Sequence, residues 1–402
     1  MAINGSSTEQ FSEVRREFER NFSERHEVGA SVCVTLDGET VVDLWGGTAD
    51  PARGRAWERD TIGLIWSSTK GATSLVAWML VARGELDLDA PVAEYWPEFA
   101  KNGKENLPVR FLLTHQAGLA ALRDPIPSDG YFDWDLITDL LAAQEPLWEP
   151  GTRHGYHALT YGHLVGEVCR RITGETIGEF FRREIAEPRA LEFWIGLPAE
   201  CEDRIAPTIP AALPGPDDPI PSFYRAGMSD PASVPGLVLF NSGDLLAPGF
   251  MNTKRGHASG LPAMGGIANA RGLAGMYRAL AIGGDGLVGP DEVAGMSSTM
   301  AAGLDATMLV PTRWSTGFVK SIDNSHLGPG DRDGCVMSEN AFGYVGMGGS
   351  MGFADPSAYL SFGYTMNRQG MTTGLDARAQ SLIDATYRAL GYVRGDRGSW
   401  RP

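Results

Sequence analysis

Ile65-Trp66-Ser67-Ser68-Thr69-Lys70 runs without a break into Gly71-Ala72-Thr73-Ser74-Leu75-Val76-Ala77-Trp78-Met79-Leu80-Val81. The pattern predicts a helix that is apolar nearly all round, the mark of a core element rather than a surface one. Ser67 and Lys70 stand three residues apart, so on that helix they share a face, one turn apart. Ser67 is expected in the first turn, where unpaired N–H groups and the positive end of the helix dipole favour developing negative charge. A serine can be a plain N-cap and a lysine a plain exposed residue. A lysine at the mouth of a core helix, however, is costly to bury without a partner or a task. Only five of the 34 basic residues are lysines (Lys70, Lys101, Lys104, Lys254, Lys320), and only Lys70 follows a serine by three positions.

Upstream, Phe11, Val14, Phe18 and Phe22 recur at helical spacing among charged residues and predict an amphipathic helix. Ala30–Leu36 and Thr40–Trp45 flank Asp37-Gly38, a strong hairpin signal. Downstream the texture turns helical, with Val109–His115, Leu136–Ala142, Leu164–Ile172 and Ile177–Ile185 as pieces. Residues 199–260 are rich in Pro, Gly, Asp and Ser, which predicts long site-lining or lid-like loops. Leu273–Ile282 reads as a helix. Trp314–Val319, Phe342–Val345 and Tyr359–Met366 read as strands, and Ala379–Leu390 as a closing helix. A lone hairpin is not stable. The N-terminal one is therefore expected to join the C-terminal strands in one antiparallel sheet, giving an α+β chain. The expected division is a unit of residues 1–92 and 211–402, built from both chain ends, and an inserted helical subdomain of residues 93–210.

The 402 residues suffice for two cores, or for one core with an inserted subdomain. A net charge of −16 argues against nucleic acid and anionic membrane as partners. Cys33, Cys169, Cys201 and Cys335 are scattered and read as free thiols. Met1–Thr8 has neither a basic n-region nor an apolar core, and no apolar run is long enough for a membrane span, so a cytoplasmic location is expected. His154, His157 and His163 show no metal spacing with a carboxylate, and neither a metal nor any other cofactor is expected. The sequence sets no oligomeric state.

Ser67 needs a base, and no histidine is near it in sequence. A lysine at its ordinary pKa of ~10.4 is a poor base at neutral pH, but burial shifts it in the useful direction. A tyrosine alongside could share the proton as a coupled pair. The segment Pro150-Gly151-Thr152-Arg153-His154-Gly155-Tyr156-His157-Ala158-Leu159-Thr160-Tyr161-Gly162 would project Tyr156 from a fixed loop, although an aromatic packed under a turn has the same local pattern.

Ser67-Ser-Thr-Lys70, Pro150–Gly162 and Phe342-Gly-Tyr-Val-Gly-Met-Gly-Gly-Ser-Met-Gly-Phe-Ala-Asp-Pro356, in that order, resemble the serine β-lactamase-like superfamily. Within it the match is to the class C-like branch and the family VIII carboxylesterases, over roughly Gly29–Met366. The resemblance implies a β-lactamase/penicillin-binding-protein-like fold, with an antiparallel sheet flanked by helices. It implies Ser67 as acyl-accepting nucleophile, Lys70 as its base partner, and Tyr156 as the group passing a proton to the leaving alkoxide. It also implies an oxyanion hole from the N–H groups of Met347 and Ser67, bordered by Tyr344, Val345 and Gly346. Trp66, Trp148, Trp314 and Tyr344 are candidate pocket walls. His115, in Leu112–Leu119, resembles a scaffold residue.

Two departures narrow the substrate. Tyr344-Val345-Gly346 stands where lactamases carry a basic triplet that holds a substrate carboxylate. Ala158 stands where class C lactamases place an asparagine beside the substrate amide. Both favour uncharged esters, with short acyl chains implied by the resemblance. A β-lactamase or D-amino-acid peptidase, an acyltransferase, and a non-catalytic binding module are the rival readings. Gly348-Gly-Ser350-Met-Gly352 matches the nucleophile elbow of another hydrolase fold, but that fold needs a later histidine, and the last one here is His326. Ser350 is expected to be structural.

Overall fold

The computed structural model describes residues 3–402 except 213, 216, 373, 396 and 397. Met1 and Ala2 of the N-terminal stretch, and residues 213 and 216 of the expected loop region, thus lie outside it.

Asp37 and Gly38 both have positive φ, 50° and 82°, as a type I′ turn requires. The turn joins strands Gly29–Leu36 and Glu39–Asp50. The first then pairs along its length with Leu360–Met366, from Leu36 against Leu360 to Ala30 against Met366. The chain ends therefore build one antiparallel, ten-stranded sheet. Its order is Ile3–Ser7, Glu39–Asp50, Gly29–Leu36, Leu360–Met366, Met351–Asp355, Phe342–Val345, Val319–Lys320, Pro311–Trp314, Ala301–Leu304, with Arg55–Ala56 paired beside Glu39–Asp50.

Both faces are covered, so Gly29–Thr35 is buried throughout rather than alternating. On one face Val32, Val34, Phe353 and Phe362 pack with Phe11, just ahead of the helix Ser12–Glu24, with Val14 and Phe18 of that helix, and with Leu382, Ile383 and Tyr387 of the helix Ala377–Ala389. On the other, Cys33 meets Ala270 and Ala274 of the helix Ala270–Ala281. Gly352 and Gly363 let that helix lie close. A Cβ on Gly363 would stand 2.3 Å from the Ala270 carbonyl oxygen, and one on Gly352 2.5 Å from the Tyr277 ring.

The helix carrying Lys70 spans Thr69–Ala82 and is buried from Thr69 to Leu80. Leu75, Val76 and Leu80 share a core with Leu112, Leu141, Leu164 and Phe180 of the helical middle of the chain. Ser67 lies in a 3₁₀ turn, Trp66–Ser68, just ahead of the α-helix rather than in its first turn. This turn follows the short strand Ile62–Leu64, part of a second sheet in the order Phe193–Ile195, Gly266–Ala268, Ile62–Leu64, Ile205–Ala206.

Three further expectations need correction. Trp314–Val319 is not one strand: Ser315–Phe318 turns between two short ones. Ile177–Ile185 is an α-helix only to Phe181, then a π turn over Arg182–Ala186. Residues 199–260 are not simply loops. They hold the helices Ser222–Ser229, Val234–Phe240 and Lys254–Ala258, each too short for periodicity to register. Among the described residues no helix is long and apolar enough to cross a membrane.

Candidate active site

Every residue from Thr61 to Leu80 is buried except Ser67, which keeps one face open. Its neighbour Trp66 has φ 49°, a conformation that a bulky side chain adopts only under local constraint. The constraint is visible. Thr69 Oγ1 donates to the Trp66 carbonyl and accepts from Gly266 N, while Ile65 N donates to the Gly266 carbonyl and the Ile65 carbonyl accepts from Ser350 Oγ at 2.8 Å. Ser350 is fully buried, with Ser68 Oγ 3.3 Å from its Oγ, so it acts as a brace behind the turn.

Lys70 is fully buried. Its Nζ lies 2.8 Å from the carbonyl oxygens of Ala158 and Ala263 and 3.1 Å from Ser67 Oγ. Among the described residues no carboxylate pairs with it, and burial pulls its pKa well below the usual lysine range. A neutral amine has two N–H groups and one lone pair. With the N–H groups on the two carbonyls, the lone pair is left for the Ser67 hydroxyl. Ala158 thus contributes through its backbone, whatever its side chain.

The Tyr156 ring lies under the same nitrogen, with Nζ 4.9 Å from its centroid. Burial raises the phenol's pKa, opposed by a hydrogen bond with Ser67. The ring stacks on Trp314 at 5.5 Å and 6°, and His115 meets its edge at 5.1 Å. His115 Nδ1 accepts from His157 N, so Nε2 carries the proton and donates to Tyr344 Oη at 2.9 Å. His157 Nδ1 donates to the Gly155 carbonyl and Nε2 accepts from Leu119 N. Burial holds both rings neutral, His157 at about 4 and His115 well below the ordinary value. His115 is thus a scaffold group between Tyr156 and Tyr344.

Sequence reasoning missed Asp305. This buried carboxylate accepts from the backbone N–H groups of Tyr156, Thr307 and Met308, each at 2.9 Å, and from Thr312 Oγ1 at 3.0 Å. Thr312 Oγ1 in turn accepts from Trp314 Nε1 at 2.8 Å. One carboxylate therefore holds the Tyr156 backbone and, through Thr312 and Trp314, the plane on which its ring rests. Asp-x-Thr suggests only a local turn. Nothing local points to a tyrosine 149 positions earlier.

The strand Phe342–Val345 ends beside this group. A Cβ on Gly346 would stand 2.2 Å from the Ile65 carbonyl oxygen, so only glycine brings this strand end so near the serine turn. Gly349 N donates to the Gly346 carbonyl, and Gly348 has φ 90°, a tight turn with Met347 at its first central position. The turn leaves Met347 N–H without a partner among the described residues. It is braced from behind: the Gly348 carbonyl accepts from Gly370 N and from Arg378 Nη2 at 3.0 Å. Arg378 also pairs with Asp376 and, at 2.9 Å, with buried Glu27, whose other oxygen accepts from Tyr364 Oη. Arg378 was legible only as a cation four positions before Leu382 on an otherwise apolar helix face.

Ser67, Tyr156, Trp66, Trp314, Tyr344, Gly346 and Met347 all line one cavity of about 420 Å³. Trp148 does not. Its indole donates to the Arg153 carbonyl and packs edge-on against His157. The arrangement pairs a hydroxyl with a neutral amine, a phenol beside both, and an unused N–H at the wall, which suits acyl transfer.

A profile of the Beta-lactamase family matches residues 15–386. The esterase/beta-lactamase LipL of Mycobacterium tuberculosis is 35% identical over 382 residues, covering 90% of this chain and 82% of LipL. A solved family VIII carboxylesterase superposes with a TM-score of 0.85 at 35% identity, covering 97% of this chain and all of that one. EstA from Arthrobacter nitroguajacolicus Rue61a gives 0.83 at 32% identity, covering 97% of this chain and 99% of EstA. The chain belongs to the Beta-lactamase family.

Proposed function

We propose that this protein is a serine carboxylesterase that hydrolyses uncharged esters through an acyl-enzyme on Ser67. The observation that carries the reading is Lys70, desolvated and with its N–H groups taken by two backbone carbonyls, 3.1 Å from Ser67 Oγ. In this reading neutral Lys70 accepts the serine proton as Oγ attacks the ester carbonyl. The N–H groups of Met347 and Ser67 receive the developing oxyanion, and losing one such donor typically costs about 10²–10³ in rate. Tyr156, hydrogen-bonded to Ser67, passes its proton to the leaving alkoxide and recovers one from Lys70, which returns that amine to its neutral form. Water then enters and the same base activates it.

Ester rather than β-lactam or peptide is favoured because no Lys, Arg or His is found among the described residues lining the cavity, so nothing there pairs a substrate carboxylate. Cytoplasmic residence is part of the same proposal. β-Lactam hydrolysis remains a second reading, because LipL is named for both activities.

Intact-protein mass after incubation with a fluorophosphonate tests the proposal. Wild type should gain one adduct and Ser67→Ala none. An adduct that survives the substitution would move the nucleophile elsewhere. Turnover of a chromogenic cephalosporin faster than any ester would favour the second reading.

A further inference from the structure

We propose that the ester taken by this site carries one large apolar group, the size of a medium-length alkyl chain or an aromatic ring system. The inference rests on the esterase reading above and names its substrate class. The cavity over Ser67 holds about 420 Å³. At ~30 Å³ for a water-sized group, that is room for about fourteen of them. An acetyl group would leave most of it empty.

Much of the lining around Ser67 and Tyr156 is apolar: Phe223, Val238, Leu239, Leu245, Met251 and Met308 all contribute to it. Such a wall over such a floor should collapse unless it is held. Three polar clamps hold it. Ser222 donates through N and Oγ to the Asp331 carboxylate at 2.8 and 2.6 Å. Asn241 donates to the Leu122 and Asp124 carbonyls and accepts from Ile126 N, each at 2.8 Å. Asn252 exchanges two 2.8 Å bonds with the Thr208 backbone. These clamps surround the short helices Ser222–Ser229 and Val234–Phe240, so the wall is built open rather than caught open. A largely apolar space of fixed size discriminates by length and bulk, each buried methylene adding about fourfold in kcat/KM.

Two ester series provide the test: 4-nitrophenyl acetate, butyrate, hexanoate and octanoate for the acyl side, and ethyl, butyl, hexyl and benzyl acetate for the alcohol side. In at least one of them kcat/KM should climb about fourfold per methylene until the cavity is full. Leu246→Trp and Met308→Trp each place a bulky ring in the cavity. In whichever variant keeps a wild-type circular dichroism spectrum, the ratio of the largest to the smallest ester in the rising series should fall at least tenfold. Activity that declines from the smallest ester in both series overturns this inference and leaves the esterase reading standing. Absence of turnover for every ester overturns both.

Discussion

Lys70 has to be neutral to act as a base, and burial lowers its pKa well below the ordinary value. The sign follows: kcat/KM should rise with pH through the depressed pKa, with unit slope on the acid limb, and then level off. Lys70→Arg, which stays charged at every working pH, should cost about 10²–10⁴ in kcat/KM and abolish that limb; a pH–rate profile of both proteins decides. In the proposed mechanism Asp305 acts through Tyr156 rather than on substrate. Asp305→Asn should leave 4-nitrophenyl esters, whose leaving group needs no proton, within a few-fold of wild type. Alkyl esters, whose alkoxide must be protonated, should slow about 10²-fold. Equal losses for both leaving groups would mean a general disturbance instead. Ser67, Lys70 and Tyr156 were legible because each sits in a short motif. Asp305 and Arg378 were not, because their roles exist only across 149 and 30 positions of chain respectively.

Among elements, the close contact of the helix Ala270–Ala281 with the large sheet depends on residues that lack a side chain. Gly363→Ala would push a Cβ to 2.3 Å from the Ala270 carbonyl oxygen. It should destabilise by about 1–3 kcal/mol, read as a lower denaturant midpoint at unchanged m-value. The hairpin was legible because Asp37-Gly38 demands one turn type, and the terminal helices because their apolar stripes run for three turns. The second sheet was not. Its strands are two or three residues long, below what alternation can signal, and they pair across the whole chain. The short helices between residues 222 and 258 escaped for the same reason.

At the scale of the whole molecule, Arg378 ties four distant parts together: Glu27 beyond the first helix, Tyr364 of the sheet through Glu27, its own helix, and the Gly348 turn at the site. Arg378→Met strands Glu27 in the core and should cost about 3–5 kcal/mol, measured by denaturant unfolding. Because the Gly348 carbonyl also loses a donor, kcat should fall more than KM rises. We propose that the chain divides into a unit of residues 1–92 and 211–402 and a helical unit of 93–210. The small sheet straddles that division, its outer strands Phe193–Ile195 and Ile205–Ala206 lying on the far side from Ile62–Leu64 and Gly266–Ala268.

The pairing of Leu36 with Leu360 has a consequence for how the molecule is born. The hairpin leaves the ribosome early, with one strand edge bare. The partner for that edge emerges roughly 320 residues later, which at 5–20 residues per second is about 16–65 s. Throughout that interval Val32 and Val34 wait on an open, sticky edge. Nascent chains arrested before residue 360 should therefore be cut by protease within residues 29–50, and chains extended past residue 366 should resist. Synthesis of this protein should therefore depend on shielding Gly29–Leu36 until Leu360–Met366 arrives.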